Sequence, residues 1–335
     1  MAPLSGTWHK LLQSERLQRS SQAMSVIGEK AYLFGGELRP REPVDNELHS
    51  FMINSGQSMA TQSLSNEDRP SPRVGATSAV LHGKLYLFSG RGGTAMAPIE
   101  EKGSLWRFDP DSSAWELIAP ADPDQPYPPA RSYHCMTSDS TSDTLYVHAG
   151  CPESGRLSDL WAFNIVSRTW TEHEHAPDPP RGGTSIAFSN KKLYRMNGFD
   201  GNQEQGGSID VYYPIENRWE SISYKPDGQD GPTSRSVSAL VAVRVLTKQY
   251  LVTLFGEHDP SSLGHQGAGK MLSDVWAFDM DEKAWSEVKI APGNLPAARG
   301  WFSADLVDAD KILVHGGLDE SNQRLGDVWI LSLQS

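Results

Sequence analysis

Val275-Trp276-Ala277-Phe278-Asp279-Met280-Asp281-Glu282-Lys283-Ala284-Trp285 is the stretch that decides the fold. It reads as an apolar strand, a polar turn from Asp279 to Glu282, and a second strand centred on Trp285. The same hairpin recurs. Leu105-Trp106-Arg107-Phe108 leads through Asp109-Pro110-Asp111-Ser112 to Trp115, Leu160-Trp161-Ala162-Phe163 leads to Trp170, and Val211-Tyr212-Tyr213 leads to Trp219. Val328-Trp329-Ile330 begins one more near the end of the chain.

Two further marks stand upstream of each hairpin. One is an arginine followed mostly by small residues, at Arg19, Arg73, Arg131, Arg181, Arg235 and Arg299. Some 17 to 21 residues later an apolar strand ends in glycine, at Gly36, Gly90, Gly150, Gly198, Gly256 and Gly317. Each unit is therefore four short strands. One four-stranded sheet cannot bury both its faces, whereas six packed radially can. The repeat predicts an all-β, six-bladed β-propeller with four antiparallel strands per blade, filling 1–335 as a single domain. The blades are placed at approximately 19–64, 73–120, 131–176, 181–228, 235–292, and 299–335 with 4–12. The last unit stops after its third strand. The N-terminal strand around Trp8 is expected to complete that blade and remove an exposed edge. The first unit has no Trp in its fourth strand. Met59 falls there, and this blade is expected to be the least well anchored.

Composition excludes several classes. The net charge is −12 and no Lys/Arg-rich run occurs, which argues against nucleic-acid binding. No apolar run approaches the ~20 residues of a membrane span. The start carries no charged-then-apolar leader. Cys135 and Cys151 are the only cysteines, too few for a disulfide framework. The expectation is a soluble, cytoplasmic protein.

A position with fixed backbone and changing side chain is open to function. The slot after each glycine is such a position. It holds Glu37, Arg91, Cys151, Phe199, Glu257 and Leu318. The six opening arginines allow two readings: a turn or a carboxylate partner on the next blade, or a cationic rim for an anionic ligand. Glu257, His258, Asp259 and His265 offer four possible divalent-metal ligands within nine residues; the alternative is a polar surface loop with Glu257 and His265 bonded to backbone. Arg131-Ser132-Tyr133-His134 reads as a strand with Ser132 and His134 on one face, and no acid is at hand for a Ser–His pair. Cys151 reads as a small semi-buried residue, and His173 and His175 as part of a solvated turn.

The glycine pairs, third-strand aromatics and fourth-strand tryptophans resemble the Kelch repeat. Over nearly the whole chain the sequence is similar to the plant specifier proteins: the nitrile-specifier, epithiospecifier and thiocyanate-forming proteins. The likeness rests on Phe34 to Leu38, Arg131 to His134, Arg181 to Gly183, Arg235 to Val237, Gly256 to His265, Arg299 to Trp301 and His315 to Gly317. It implies slot loops opening on one face around a central channel. It also implies ferrous iron held by Glu, Asp and His with three residues between successive ligands. Glu257 and His265 match the outer two; the middle position is Ser261, with Asp259 and His258 nearby. Arg91 and Tyr133 match positions that hold substrate, and Trp301 matches the opening of the last blade.

The resemblance thus implies a specifier-like protein that binds a reactive, anionic intermediate and directs its conversion by lyase or cyclisation chemistry. Glu257, His265 and Arg91 would be catalytic. Arg91, Arg131, Tyr133, Trp301, Glu37 and Phe199 would contact the ligand, and Glu257, His265 and Asp259 would hold Fe(II) or another divalent metal. The alternative is a non-catalytic Kelch module that grips an acidic peptide or partner protein.

Overall fold

The computed structural model describes residues 3–55, 58–59, 69–264 and 267–335. Its strands form six antiparallel blades of a β-propeller. The second blade shows the pattern: Thr77–Leu81, Lys84–Phe88, Leu105–Asp109 and Ala114–Ile118, each paired with the next. By compactness the chain falls into two units. One comprises Ser21–Gly182 and Tyr213–Trp219, the other Met1–Ser20, Gly183–Tyr212 and Glu220–Ser335.

Closure is as expected. Ser5–Gln13 pairs antiparallel with Asp327–Gln334, from Ser5 opposite Gln334 to Gln13 opposite Asp327. Among the described residues the fourth strand of the first blade is Ser58–Met59, with Met59 opposite Ser50. Among the described residues no helix is long and apolar enough to cross a membrane.

The fourth-strand tryptophans bind blade to blade. Trp115 lies 5.5 Å from Phe34, Trp170 5.6 Å from Phe88, and Trp8 stacks on Phe255 at 5.5 Å. Phe34 and Phe88 end the second strand of the preceding blade, and Phe255 directly follows that strand in its blade, just before the glycine. Trp219 meets His148 at the corresponding place, 5.9 Å away. Aromatic pairs of this kind add roughly 0.5–1.5 kcal/mol beyond their buried area.

Six equivalent backbone hydrogen bonds fasten the slots. Gly36, Gly90 and Gly150 donate to the carbonyls of Arg73, Arg131 and Arg181; Gly198, Gly256 and Gly317 donate to those of Arg235, Arg299 and Arg19. All six glycines have φ between 91° and 110°, a region that L side chains rarely adopt. A methyl group on Gly256 would also lie 2.7 Å from the Ser236 carbonyl.

Candidate functional site

The opening arginines are buried, at 5% exposure or less. Four of them bind a carboxylate of their own blade through both terminal nitrogens: Arg73 with Glu101, Arg131 with Asp159, Arg235 with Asp274 and Arg299 with Asp327. An indole N–H donates to the same carboxylate, from Trp106, Trp161, Trp276 and Trp329. The cationic rim is thus overturned, since all six are buried, and for these four the carboxylate partner lies on their own blade and not on the next. Arg131 is withdrawn as a ligand contact: its donors go to Asp159, Ala149 O and Pro129 O inside the blade.

The slot residues are held by backbone. Val74 exchanges two hydrogen bonds with Arg91, Ser132 with Cys151, Ser236 with Glu257 and Gly300 with Leu318. The residue two places after each arginine has left-handed φ: Ser21, Gly75 and Tyr133 in one unit, Gly183, Val237 and Trp301 in the other. Tyr133 N donates to Gly75 O and Gly75 N to Ser21 O; Trp301 N donates to Val237 O and Val237 N to Gly183 O. Arg131 to His134 is therefore a turn, not a strand, and the first strand of that blade starts at Cys135. His173 ends a strand rather than lying in a turn.

In the unit with the first three blades, Arg91 stands apart from the opening arginines. It is half-buried, and its Nε donates to Ser132 Oγ at 2.9 Å, Nη1 to Met96 O at 3.1 Å and Nη2 to Pro152 O at 2.7 Å. A guanidinium has five N–H donors. One on each terminal nitrogen is left over among the described residues. The charge is thus fixed in place with spare donors, a preorganised seat for an anion. Tyr133 is electrostatically coupled to Glu37, Cys151 and Arg91; burial first, then Glu37, raises its phenol far above the usual range, so it stays protonated. Glu37 is buried and its Oε2 accepts Arg41 N at 2.7 Å, so it braces its own hairpin. Burial likewise raises the Cys151 thiol, against the opposing charges of Arg156 and Arg91.

In the other unit Glu257 and His258 pair with Lys270 and Met271, closing the long loop as a hairpin. Glu257 is 4% exposed. Its Oε1 accepts Gly269 N at 2.7 Å, and a side chain on Gly269 would fall 2.6 Å from that oxygen. Burial pushes the carboxyl up to about 7; the Gly269 bond opposes this and the charge of Glu204 adds to it. Glu204 was missed from sequence. It bridges back to Phe199, its Oε1 is buried without a hydrogen-bond partner among the described residues, and burial raises its carboxyl too. Its place opposite Phe199 in a slot hairpin is the signal that could have found it. Phe199 and Trp301 are half-buried.

The iron triad implied by the resemblance is not met by the described residues. Ser261 Oγ accepts Leu263 N at 3.1 Å and props the turn that Gly264 N closes onto Ser261 O. Asp259 points outward, with 73% of its side chain exposed, and His258 Nδ1 bonds Ser234 O at 2.8 Å. His265 lies outside the described residues. Glu257 itself gives one carboxylate oxygen to Gly269 N, so the described residues of this loop bring no set of metal ligands together. Among the described residues one group does bring three ligand atoms within 4.8 Å of one another: Asp45, Glu47 and His49 in the first blade. Their alternation along the sequence is a signal that the sequence reading passed over.

Comparison with known proteins agrees with this architecture. The KLHDC2/KLHL20/DRC7 Kelch-repeats domain model matches residues 21–256. An N-(sulfonatooxy)prop-2-enimidothioate sulfolyase of Thlaspi arvense is 29% identical over 99% of this chain and 98% of its own length. An F-box/kelch-repeat protein of Arabidopsis thaliana is 26% identical over 87% of this chain, which spans 61% of that protein. Kelch domain-containing protein 1 of Mus musculus is 24% identical over 90% of this chain and 75% of its own. The solved structure of YjhT superposes with a TM-score of 0.74 at 13% identity, covering 97% of this chain and 99% of that one.

Proposed function

The chain belongs to the KLHDC2/KLHL20/DRC7 Kelch-repeats domain family, and from that premise we propose that it is a specifier-like protein of lyase type, which binds a reactive sulfonated intermediate and directs its conversion. The observation that carries this reading is the end-to-end similarity to the Thlaspi arvense sulfolyase, at 99% and 98% coverage. The Arg91 geometry supports it. Loss of a sulfonatooxy group breaks an N–O bond, and the electron pair leaves with sulfate. A rigid guanidinium with a spare N–H on each terminal nitrogen meets two sulfate oxygens at once and stabilises the charge as it develops. Tyr133, kept protonated by burial, adds a neutral wall. Within its own unit, Glu257 is a carboxyl that burial keeps partly protonated near neutral pH.

The reading as a module for an acidic peptide relied on a rim of six arginines. All six side chains are buried, and four of them bind a carboxylate of their own blade, which counts against such a rim. Titration calorimetry with a stable sulfonated analogue tests the proposal. Wild type should bind, and Arg91→Ala should bind at least ~10-fold more weakly, since a charge-assisted bond contributes about 1.5–3 kcal/mol. No binding by wild type, or equal binding by the variant, rejects it.

A further inference from the structure

The geometry points to a divalent-cation site in the first blade, built from Asp45, Glu47 and His49. His49 lies in the strand Leu48–Met52, and the bend that precedes it, where Glu47 N donates to Asp45 Oδ1 at 3.1 Å, brings the ligand atoms of Asp45, Glu47 and His49 within 4.8 Å of one another. His49 Nε2 lies 3.2 Å from Asp45 Oδ2 and 4.0 Å from Glu47 Oε2. Ligands on a tetrahedral ion with bonds of about 2.1 Å stand roughly 3.4 Å apart. One edge of such a site is therefore nearly in place and the second needs a shift of about half an ångström.

Comparison of the blades shows what is special here. In blades three, five and six the third strand carries, at or near its start, Asp, one residue, then Trp: Asp159 and Trp161, Asp274 and Trp276, Asp327 and Trp329. The carboxylate takes the arginine and the indole N–H together. The first blade has Glu47 and His49 at those places. An indole can only donate, whereas a neutral imidazole also has a nitrogen lone pair. The substitution turns a donor into a ligand, and Asp45 adds a second carboxylate that no other clamp has at that position. Side-chain exposure runs from 5% at His49 to 24% at Asp45 and 37% at Glu47, which leaves a hydrated ion a path inward. One nitrogen and two oxygens suit Zn(II), Mn(II) or Fe(II), with a position over for water.

The test uses full-length protein carrying Glu257→Gln, so that the long loop is not counted, and Zn(II) alone as probe. One equivalent should bind. Adding Asp45→Asn, which keeps an oxygen to accept Glu47 N, should weaken it at least ~10-fold while the protein stays folded. Co(II) should give an absorption band that His49→Gln removes. No bound equivalent in the Glu257→Gln protein, or undiminished affinity after Asp45→Asn, overturns the site.

Discussion

Arg131 and Asp159 form a buried two-armed ion pair, with Nη1 and Nη2 each 2.7 Å from a carboxylate oxygen. Trp161 donates to the same carboxylate at 2.9 Å. Removing one partner strands the other charge in the interior. Arg131→Ala is expected to destabilise the fold by about 3–5 kcal/mol. Urea unfolding checks this. A loss under ~1 kcal/mol, the range of an exposed pair, would mean that the arginine is not the structural clamp described.

The slot glycines should be as intolerant. Gly256→Ala places a methyl 2.7 Å from Ser236 O at φ 108°. Strain and overpacking together should cost about 3 kcal/mol. Gly28, whose added methyl would meet nothing within 4 Å at φ 59°, should lose less on the same change. Melting temperatures of the two variants give the order directly.

Glu257 makes stability depend on pH. Its carboxyl ionises near 7 in the fold, against an ordinary 4.5. Between those values the native state binds more protons than the unfolded chain, so this residue's share of stability falls as pH rises and is flat above about 7. Glu257→Gln keeps an acceptor for Gly269 N and removes the charge. It should gain on wild type by on the order of 3 kcal/mol between pH 4.5 and pH 8. A pH-independent difference in unfolding free energy would contradict the buried, proton-holding carboxyl.

His134 and His315 act in the opposite direction. Burial holds both imidazoles neutral, down to about 3. The unfolded chain takes up those protons below about 6.5, so stability is lost as pH falls from there. His134→Phe, which packs beside Phe88 and needs no proton, should shift the acid-unfolding midpoint downward. An unchanged midpoint would count against it.

The blade count and the closing strand were legible because they rest on periodic marks: the glycines at φ near 100°, the tryptophans and the arginines. Why those marks recur was only half legible. Nothing in Arg131 and Arg91 as letters says that one is spent on Asp159 while the other is pinned by Ser132, Met96 and Pro152 with donors to spare. That difference depends on partners 28 and 41 residues away. The left-handed backbone at Tyr133, Val237 and Trp301 was hidden for a related reason. Only Gly75 and Gly183, at the matching places, advertise it. A Cβ on Gly183 would fall 2.8 Å from Val237 Cγ1, so glycine in one blade makes room for the valine of the next.

The central claim is tested most directly by product analysis. An N-(sulfonatooxy)imidothioate, generated in the assay, is left to react alone, with wild-type protein, and with Arg91→Ala, each with and without Fe(II). The account predicts that wild type changes the product ratio from the spontaneous one and that Arg91→Ala restores it while remaining folded. An identical ratio in the presence and absence of wild-type protein, under both metal conditions, would contradict it.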